Sequence, residues 1–166
     1  IARKHNLAIV EDACHALGGR YSKTIIGSCM FSDMTVFSFH PVKIITTGEG
    51  GMVLTNRLDL YKKLIPLRSH GITRDSELMQ GNSHGPWYYQ QIELGFNYRI
   101  TDIQAALGIS QMNQLDQFVS RRHHLAERYN QLMKKLPLVL PFQTPDTYSS
   151  NHLYVIRLKL GELKKT

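Results

Sequence analysis

The sequence predicts an α/β fold, in which short buried strands alternate with helices. Residues 7–10 are a short apolar run preceded by a basic segment that stops at Asn6, which is the pattern of a helix end leading into a buried strand. Residues 34–39 form a second run that is rich in β-forming residues and too continuous for a half-exposed strand. Glu11 and Asp12 follow the first run, at the strand edge where α/β sheets bind their ligands.

The composition is that of a globular chain of 166 residues, with 20 Lys and Arg against 13 Asp and Glu and a net charge of +7. Excess positive charge suggests acidic partners. The densest basic patch, residues 121–124 with Arg128, lies in a helical pattern and is expected to be a solvated face, so nucleic-acid binding is not predicted. Cys14 and Cys29 form no Cys-x-x-Cys pair and no disulfide framework, so no metal site is predicted.

The sequence also gives expectations about location and completeness. No apolar run approaches the length needed to cross a membrane, and no signal peptide is visible, so we expect a cytoplasmic protein without membrane contact. The chain begins at Ile1 within what resembles a helix end, and residues 164–166 follow directly on a predicted strand. We therefore expect a piece of a longer protein.

Local signals place further elements along the chain. Residues 20–27 predict a hairpin with its turn near Ser22 and Lys23. Asn56 predicts the N-cap of a helix whose end is disturbed by Pro66. Residues 69–89 are the least regular stretch, which predicts a mobile or functional loop, and residues 95–99 predict a turn.

A long amphipathic helix is predicted from a capping box at residues 101–104 to about Leu136. Its apolar residues fall mostly at three- and four-residue steps and are expected to pack in the core. They are Ile103, Leu107, Leu115, Phe118, Leu125, Tyr129, Leu132 and Leu136. Pro137 and Pro141 end the helix, residues 141–151 resemble a linker, and alternating apolar residues in 152–160 predict a second sheet or subdomain.

Lys43 is the candidate catalytic residue that the sequence itself suggests. It lies between the predicted strands, next to Val42 and Ile44, with no acid within five residues on either side. A lysine in apolar surroundings loses hydration of its ammonium group, which favours the free amine that forms Schiff bases with carbonyl compounds and pyridoxal phosphate (PLP). An ordinary solvated lysine is the alternative, and local context alone favours it.

Two neighbouring features have competing explanations. The glycine-rich residues 48–51 lack the Gly-Lys-Ser/Thr ending of a nucleotide P-loop, so they predict only a tight turn. Asp12 either takes part in chemistry at the strand edge or caps a helix over residues 13–17. The residues alone leave these two interpretations of Asp12 equal.

Four motifs occur in one order: EDACHALGG at 11–19, FSFHPVK at 37–43, TGEGGMVLT at 47–55 and GFNYRITDIQAALG at 95–108. With them, the chain resembles the DegT-type sugar-nucleotide aminotransferases, which belong to the fold type I, aspartate-aminotransferase-like PLP enzymes. FSFHPVK together with TTGEGG most resembles the UDP-4-amino-4,6-dideoxy-N-acetyl-altrosamine transaminase branch. That branch aminates a UDP-linked 4-keto-6-deoxy N-acetyl sugar.

The resemblance implies a set of cofactor-binding residues. Lys43 matches the lysine that forms the Schiff base with PLP and later moves protons. Asp12 matches the acid that pairs with the pyridinium nitrogen and keeps it protonated. Cys14 falls on a small position that packs against the ring face, and His15 on a Gln or His position near the ring's 3′-oxygen. Ser38 matches a hydroxyl donor to the cofactor phosphate.

The resemblance also implies a homodimer with shared active sites. Asn97 matches a side chain that reaches the phosphate of the cofactor in the other subunit. Arg99 lies in the same segment and is a candidate to meet an acidic donor or the sugar nucleotide. A structural ion pair is an equal alternative for Arg99.

The resemblance implies two domains. Residues 1–136 would be the C-terminal part of the PLP-binding large domain, a mainly parallel sheet flanked by helices, including the long interdomain helix. Residues 137–166 would be the start of a small α/β C-terminal domain. The family's first strands and its phosphate-cupping helix N-terminus are expected to lie outside the fragment. We therefore expect activity of the longer protein rather than of the fragment.

The implied reaction is a two-stage transamination in amino-sugar and surface-polysaccharide biosynthesis. An amino acid, with glutamate expected, converts PLP to its amine form, which then aminates the keto group of a nucleotide-linked sugar. One alternative is a PLP-dependent sugar dehydratase of the same family, in which histidine replaces the lysine. The other is a non-catalytic binding or regulatory relative. Lys43 argues against the first, and Lys43, Asp12 and Ser38 together argue against the second.

Overall fold

The computed structural model describes residues 1–163, which fall in two compact units, residues 1–54 with 102–163, and residues 55–101. The regular elements in chain order are a 3-10 helix Arg3–His5, β1 Val10–Asp12, β2 Arg20–Tyr21, β3 Thr24–Ile25, β4 Met34–Ser38, β5 Gly51–Leu54, α1 Leu58–Leu67, β6 Ile72–Thr73, β7 Gln90–Gln91, α2 Asp102–Met112, α3 Leu115–Met133, β8 Leu138–Val139, β9 Thr147–Tyr148 and β10 Arg157–Leu158. None of the helices among these residues is long and apolar enough to cross a membrane.

A three-stranded sheet in the order β1-β4-β5 forms the centre of the first unit. β1 runs parallel to β4, with Asp12 opposite Val36, whereas β5 runs antiparallel to β4, with Gly51 opposite Ser38. Burial alternates along β4, because its second and fourth residues are buried and the others are half-buried. The strands predicted on either side of Lys43 are therefore present.

β1 begins later than the sequence predicts. The apolar run starts at residue 7, but the strand starts at Val10. The main-chain N–H of Ile9 donates to Oδ2 of Asp33 at 2.8 Å, so the chain just before β1 is tied to a side chain. The preceding 3-10 helix ends at Asn6, whose left-handed φ of 50° agrees with the predicted asparagine stop.

One face of the central sheet carries the apolar core of the first unit. Phe37 and Phe39 are 4% and 6% exposed, and they cluster with the buried side chains of Ala13 and Ile45. Leu115 and Phe118 of α3 pack against this cluster. Burial of a phenylalanine or isoleucine side chain contributes about 1.5–3 kcal/mol to stability, so this cluster anchors the segments that follow β1 and β4.

β2 and β3 form the predicted hairpin. Ser22 and Lys23 both have positive φ angles, 46° and 67°, as a two-residue type I′ turn requires. β9 pairs antiparallel with the other edge of β2, with Arg20 opposite Tyr148. The interpretation of residues 141–151 as a linker is therefore incomplete, because this stretch adds a strand to the hairpin.

The prediction of one continuous long helix is wrong, because the segment forms two separate helices, α2 and α3. α2 starts at Asp102, directly after the first residue of the predicted capping box. At the junction, the N–H of Gln114 donates to the carbonyl of Gln111, a three-residue step that tightens the last turn. Gln114 has φ −109° and ψ 2°, which lie outside the helical region.

The predicted apolar stripe is only partly core within the described residues. Leu115 and Phe118 pack against the core cluster, whereas Ile103 is 85% exposed and Leu132 is 67% exposed. The buried residue of α3 is Val119, which is outside the predicted stripe. The period of the stripe correctly predicted helix, but not which residues the chain buries.

The second unit contains α1 and the short antiparallel pair β6-β7. The N-cap of α1 is Arg57, not the predicted Asn56, and Pro66 lies inside the helix, which continues for one residue beyond it. The predicted irregular stretch, residues 69–89, contains β6 as its only regular strand among the described residues.

The predicted turn at residues 95–99 is instead an extended segment. The N–H of Phe96 donates to the carbonyl of Leu67, and Asn97 forms a β-bridge with Ser69. A Cβ atom on Gly95 would lie 2.1 Å from the main-chain nitrogen of residue 71. Glycine allows this close crossing of two main chains. The segment therefore pairs with the residues at the end of α1 and does not form a turn.

β8 and β10 pair antiparallel, with Leu138 opposite Leu158. The second sheet predicted within residues 152–160 is therefore present, although its strand spans only Arg157–Leu158. The domain boundary predicted between residues 136 and 137 stays a prediction. Residues 164–166 of the predicted second domain lie outside the described residues.

Candidate active site

Asp12 and Ser38 lie on one face of the central sheet, at the ends of β1 and β4. Asp12 is opposite Val36, and Ser38 follows two residues later along β4, so the alternation of a strand directs them to the same side. The opposite side carries Glu11 and Thr35, whose Oγ1 donates to Oε2 of Glu11 at 2.9 Å. The sheet therefore brings together two of the predicted site residues.

Asp12 presents an exposed, ionised carboxylate at the end of β1. Its Oδ1 accepts a hydrogen bond from the N–H of Cys14 at 3.1 Å. Hydrogen bonds from the side chain and main chain of Cys14 lower the pKa of Asp12, and the positive charges of His15 and Lys43 lower it further. Residues 13–17 form turns instead of a helix, so Asp12 caps a turn and the helix-cap interpretation is wrong.

Cys14 is half-buried beside this carboxylate. The hydrogen bond to Asp12 is the main cause that raises the pKa of the Cys14 thiol, and burial raises it further. Sγ also lies 3.9 Å from the carbonyl oxygen of Val36. The thiol is therefore a protonated donor that helps to keep the Asp12 carboxylate ionised.

Lys43 lies in a loop, residues 40–50, that is hydrogen-bonded to the main chain of Phe39. The N–H of Phe39 donates to the carbonyl of Gly50 at 2.8 Å, and its carbonyl accepts the N–H of Thr47 at 3.0 Å. The N–H of Lys43 donates to the carbonyl of His40 at 2.9 Å. These bonds give Lys43 a fixed main chain, and its side chain is half-buried.

The charge of Lys43 acts on two groups of this site. Its positive charge lowers the pKa of both Asp12 and His152. The two residues that follow it, Ile44 and Ile45, are 6% and 2% exposed. The predicted apolar flank is therefore present on the C-terminal side of Lys43, whereas Val42 before it is 64% exposed.

α2 packs directly against the Lys43 loop. Nε2 of Gln104 donates to the carbonyl of Glu49 at 3.0 Å. Gly108 is the buried residue of α2, and a Cβ atom there would lie 2.9 Å from Cγ2 of Thr47. Glycine at position 108 therefore lets the helix approach the loop closely.

His152 is a member of this cluster that the sequence analysis missed. Its ring centroid lies 4.3 Å from that of His15, with the planes tilted by 48°. Burial is the main cause that lowers the pKa of His152, and the positive charges of His15, Lys43 and Arg122 lower it further. Nδ1 is buried, with no hydrogen-bond partner among the described residues. His152 is far from Lys43 in the chain, and no spacing or motif marked it.

Residues 149–152 form a C-terminal segment that rests on α3 and on His15. Arg122 donates to the carbonyls of Asn151 and His152 at 3.3 and 3.2 Å, and the buried Ser150 donates its hydroxyl to the carbonyl of His15 at 3.2 Å. The expectation of a solvated basic face is therefore wrong for Arg122, which is half-buried and holds this segment.

Asn97 and Arg99 belong to the second unit. Both side chains are exposed, on the extended segment that pairs with the end of α1. Their predicted contacts with a partner's cofactor and with substrate stay predictions.

The donor set at the end of β1 and β4 fits PLP. Lys43 offers a primary amine, and the ionised carboxylate of Asp12 suits a protonated ring nitrogen. Oγ of Ser38 accepts the N–H of His40 at 3.4 Å, which leaves its own proton available for a phosphate. Within residues 1–163, no group of three or more His, Cys, Asp or Glu side chains is arranged to hold a metal ion.

Comparison with known proteins gives the family. The model of the DegT/DnrJ/EryC1/StrS aminotransferase family matches residues 1–166. The chain belongs to this family. The resemblance inferred from the four motifs is thereby confirmed.

Individual relatives agree with the family match. The chain is 40% identical over 159 residues to the UDP-4-amino-4,6-dideoxy-N-acetyl-beta-L-altrosamine transaminase of Campylobacter jejuni, covering 95% of the chain and 39% of that protein. It also resembles the solved structure of Helicobacter pylori PseC, an aminotransferase of pseudoaminic acid biosynthesis. That match has a TM-score of 0.83 at 34% identity, over 95% of the chain and 40% of PseC.

A third relative shows the cofactor state of a family member. Spr1654 of Streptococcus pneumoniae, described as a sugar aminotransferase and solved in a PLP form, gives a TM-score of 0.79 at 30% identity. The match covers 95% of the chain and 39% of that protein. The chain thus spans about two fifths of the length of these relatives, and the predicted α/β aminotransferase fold is confirmed.

Proposed function

We propose that the protein containing this chain is a PLP-dependent aminotransferase that aminates the keto group of a nucleotide-linked 4-keto-6-deoxy sugar. The observation that supports this proposal most is that the charge of Lys43, together with the hydrogen bonds from Cys14, lowers the pKa of the Asp12 carboxyl at the end of β1. Membership of the aminotransferase family supports the reaction class, and the name of the Campylobacter jejuni relative supports a UDP-linked substrate.

PLP, when bound, supplies a protonated ring that accepts electrons while an amino group is exchanged. Nζ of Lys43 is the nucleophile that attaches the cofactor, and as a free amine it accepts and returns a proton at the substrate carbon. The Asp12 carboxylate would hold the proton on the ring nitrogen, and the Cys14 donors keep that carboxylate charged. Oγ of Ser38 would donate to the phosphate, and His15 would interact with the ring's 3′-oxygen.

The proposal includes an amino-acid donor, with glutamate as the first candidate, and a cytoplasmic homodimer with no nucleic-acid or membrane partner. Asn97 would reach the cofactor phosphate of the partner subunit, and Arg99 would meet an acidic group of a substrate. The exposure of both side chains on a hydrogen-bonded segment supports these roles.

The test is an assay of the intact protein with PLP, glutamate and a UDP-linked 4-keto-6-deoxy N-acetyl sugar. We expect mass spectrometry to show an amino sugar in which nitrogen replaces the keto oxygen, with 2-oxoglutarate as co-product. A sugar that loses a hydroxyl group without gaining nitrogen would indicate the dehydratase. Binding without turnover across UDP-, GDP- and dTDP-linked ketosugars would favour a non-catalytic relative and contradict the proposal.

A further inference from the structure

His152 lies where its ring limits the movement of the His15 ring. The two centroids are 4.3 Å apart, and no motif places the two residues together. His15 is an exposed residue, and its ring contact within the described residues is with His152. An exposed histidine without such a ring contact would populate several rotamers.

The contact is fixed from both main chains. Ser150, 1% exposed, donates its hydroxyl to the carbonyl of His15, while Arg122 of α3 donates to the carbonyl of His152. The main chain of His152 is therefore held by α3, while its ring contacts the ring of His15. Because the main chain of His152 is held in this way, its ring restrains the His15 ring more than a freely rotating side chain can.

The surroundings of His152 favour the neutral form of its ring. Burial is the main cause that lowers the pKa of His152, and the charges of His15, Lys43 and Arg122 lower it further. A neutral imidazole adds no charge at this position and meets the His15 ring through contact between the two rings. The contact with His15 is therefore one of shape, which another ring of similar size can supply.

We propose that His152 is a positioning residue that sets the direction of the His15 ring in the active site. The consequence for the cofactor rests on the proposed function, in which His15 lies beside the ring's 3′-oxygen. Loss of the His152 ring then weakens PLP binding and changes the pH dependence of the bound cofactor's absorbance, because His15 no longer has one orientation.

The contact itself is tested in the intact protein without added PLP. Histidine is labelled with ¹³C, and the ring signals of His15 are assigned with His15→Gln. We expect nuclear Overhauser contacts between the His15 ring and residue 152 in the wild type and in His152→Phe. In His152→Ala, the His15 signals should move toward those of a free histidine. If the His15 signals are unchanged in His152→Ala, the proposal is overturned.

The consequence is tested by PLP titration of the same proteins. We expect His152→Ala to weaken PLP binding on the order of tenfold and to shift the pH profile of visible absorbance, whereas His152→Phe stays within about twofold of wild type. His123→Ala is the matched control, because His123 stacks on Tyr148 at 4.3 Å and bonds the carbonyl of Ser149, whereas the ring contact of His15 is with His152.

The control separates positioning from a general structural role. Both alanine variants should lower the melting temperature, but only His152→Ala should change PLP affinity and the pH profile. Equal effects of His152→Ala and His123→Ala on both readouts would make His152 merely structural and overturn the proposal. If the wild type binds no PLP, the proposed function fails, and the His15 ring signals still decide the proposed contact.

Discussion

The ionised state of the Asp12 carboxylate depends more on its immediate neighbours than on its position at the end of β1. Hydrogen bonding from the thiol and N–H of Cys14 lowers the pKa of its carboxyl most, and the charges of His15 and Lys43 lower it further. Glu11, the adjacent carboxylate, faces the other side of the sheet and bonds Thr35. The two neighbouring acids therefore have different surroundings, and the charge of Lys43 lowers the pKa of Asp12.

This difference predicts unequal effects of two matched substitutions. Asp12→Asn removes the charge that would hold the ring-nitrogen proton, so we expect the turnover rate of the intact enzyme to fall on the order of 10²-fold or more while the circular dichroism spectrum is retained. Glu11→Gln should stay within about threefold of wild type. Near-normal turnover in Asp12→Asn would mean that the residue only caps the turn at Cys14.

The half-buried position of His152 predicts a pH dependence of stability. Its pKa is lowered in the folded state, so the unfolded chain binds more protons, and stability falls as pH drops below the ordinary histidine value of about 6.5. His152→Phe removes this dependence. We expect the melting temperature of the wild type to fall more than that of the variant between pH 7.5 and 5.5. Parallel curves would show that His152 does not contribute.

The sequence predicted residues whose role follows from local pattern. Asp12 was a candidate because it follows a strand-like run, whereas Ser38 was a candidate only through the family resemblance; the structure places both on one face of the sheet. His152 could not be found in this way, because its neighbours in space, His15 and Arg122, come from distant parts of the chain. Only packing of the C-terminal segment on α3 brings it to the site.

α2 and the Lys43 loop form one packed element, in which Gly108 meets the methyl group of Thr47. Gly108→Ala gains helix propensity of about 0.5–1 kcal/mol but places a Cβ atom 2.9 Å from Cγ2 of Thr47. Thr47→Ser removes that methyl group and keeps the hydroxyl that donates to the carbonyl of Glu49 at 2.8 Å. The two substitutions are therefore coupled.

A double-mutant cycle measures this coupling by urea unfolding of the intact protein. We expect Gly108→Ala to be less favourable in the wild-type background than in the Thr47→Ser background, by about 1–3 kcal/mol in the free energy of unfolding. Additive effects of the two substitutions would show that the helix and the loop are not in close contact.

The errors in element prediction have tertiary causes. The sequence pattern runs through residues 113 and 114 without a glycine or proline, so the break between α2 and α3 carries no local signal. The predicted turn at residues 95–99 is extended because the end of α1 supplies hydrogen-bond partners. The hairpin at Ser22 and Lys23 was predictable, since its turn conformation depends on local residues.

At the scale of the whole molecule, the chain is a portion of the protein architecture that its relatives share, covering 39% of the Campylobacter jejuni transaminase. The proposed homodimer makes each active site composite, with Lys43 from one subunit and Asn97 from the other. The β-bridge between Asn97 and Ser69 fixes the main chain from which the Asn97 side chain projects.

Subunit complementation in the intact protein tests this arrangement. We first expect Lys43→Ala to be inactive and Asn97→Ala to be impaired as homodimers. In a mixed dimer, one site collects both defects and the other is wild type, so activity should rise above that of either homodimer. If mixing restores nothing although mass spectrometry confirms subunit exchange, Asn97 acts within its own chain.

The attachment point of the cofactor tests the central claim most directly. The intact protein is loaded with PLP, reduced with borohydride, digested and analysed by mass spectrometry. We expect a phosphopyridoxyl group on Nζ of Lys43, and none after Lys43→Arg, because a guanidinium group does not replace the amine. The group on another lysine, such as Lys23 or Lys62, or its absence from every lysine of the loaded protein, would contradict the account.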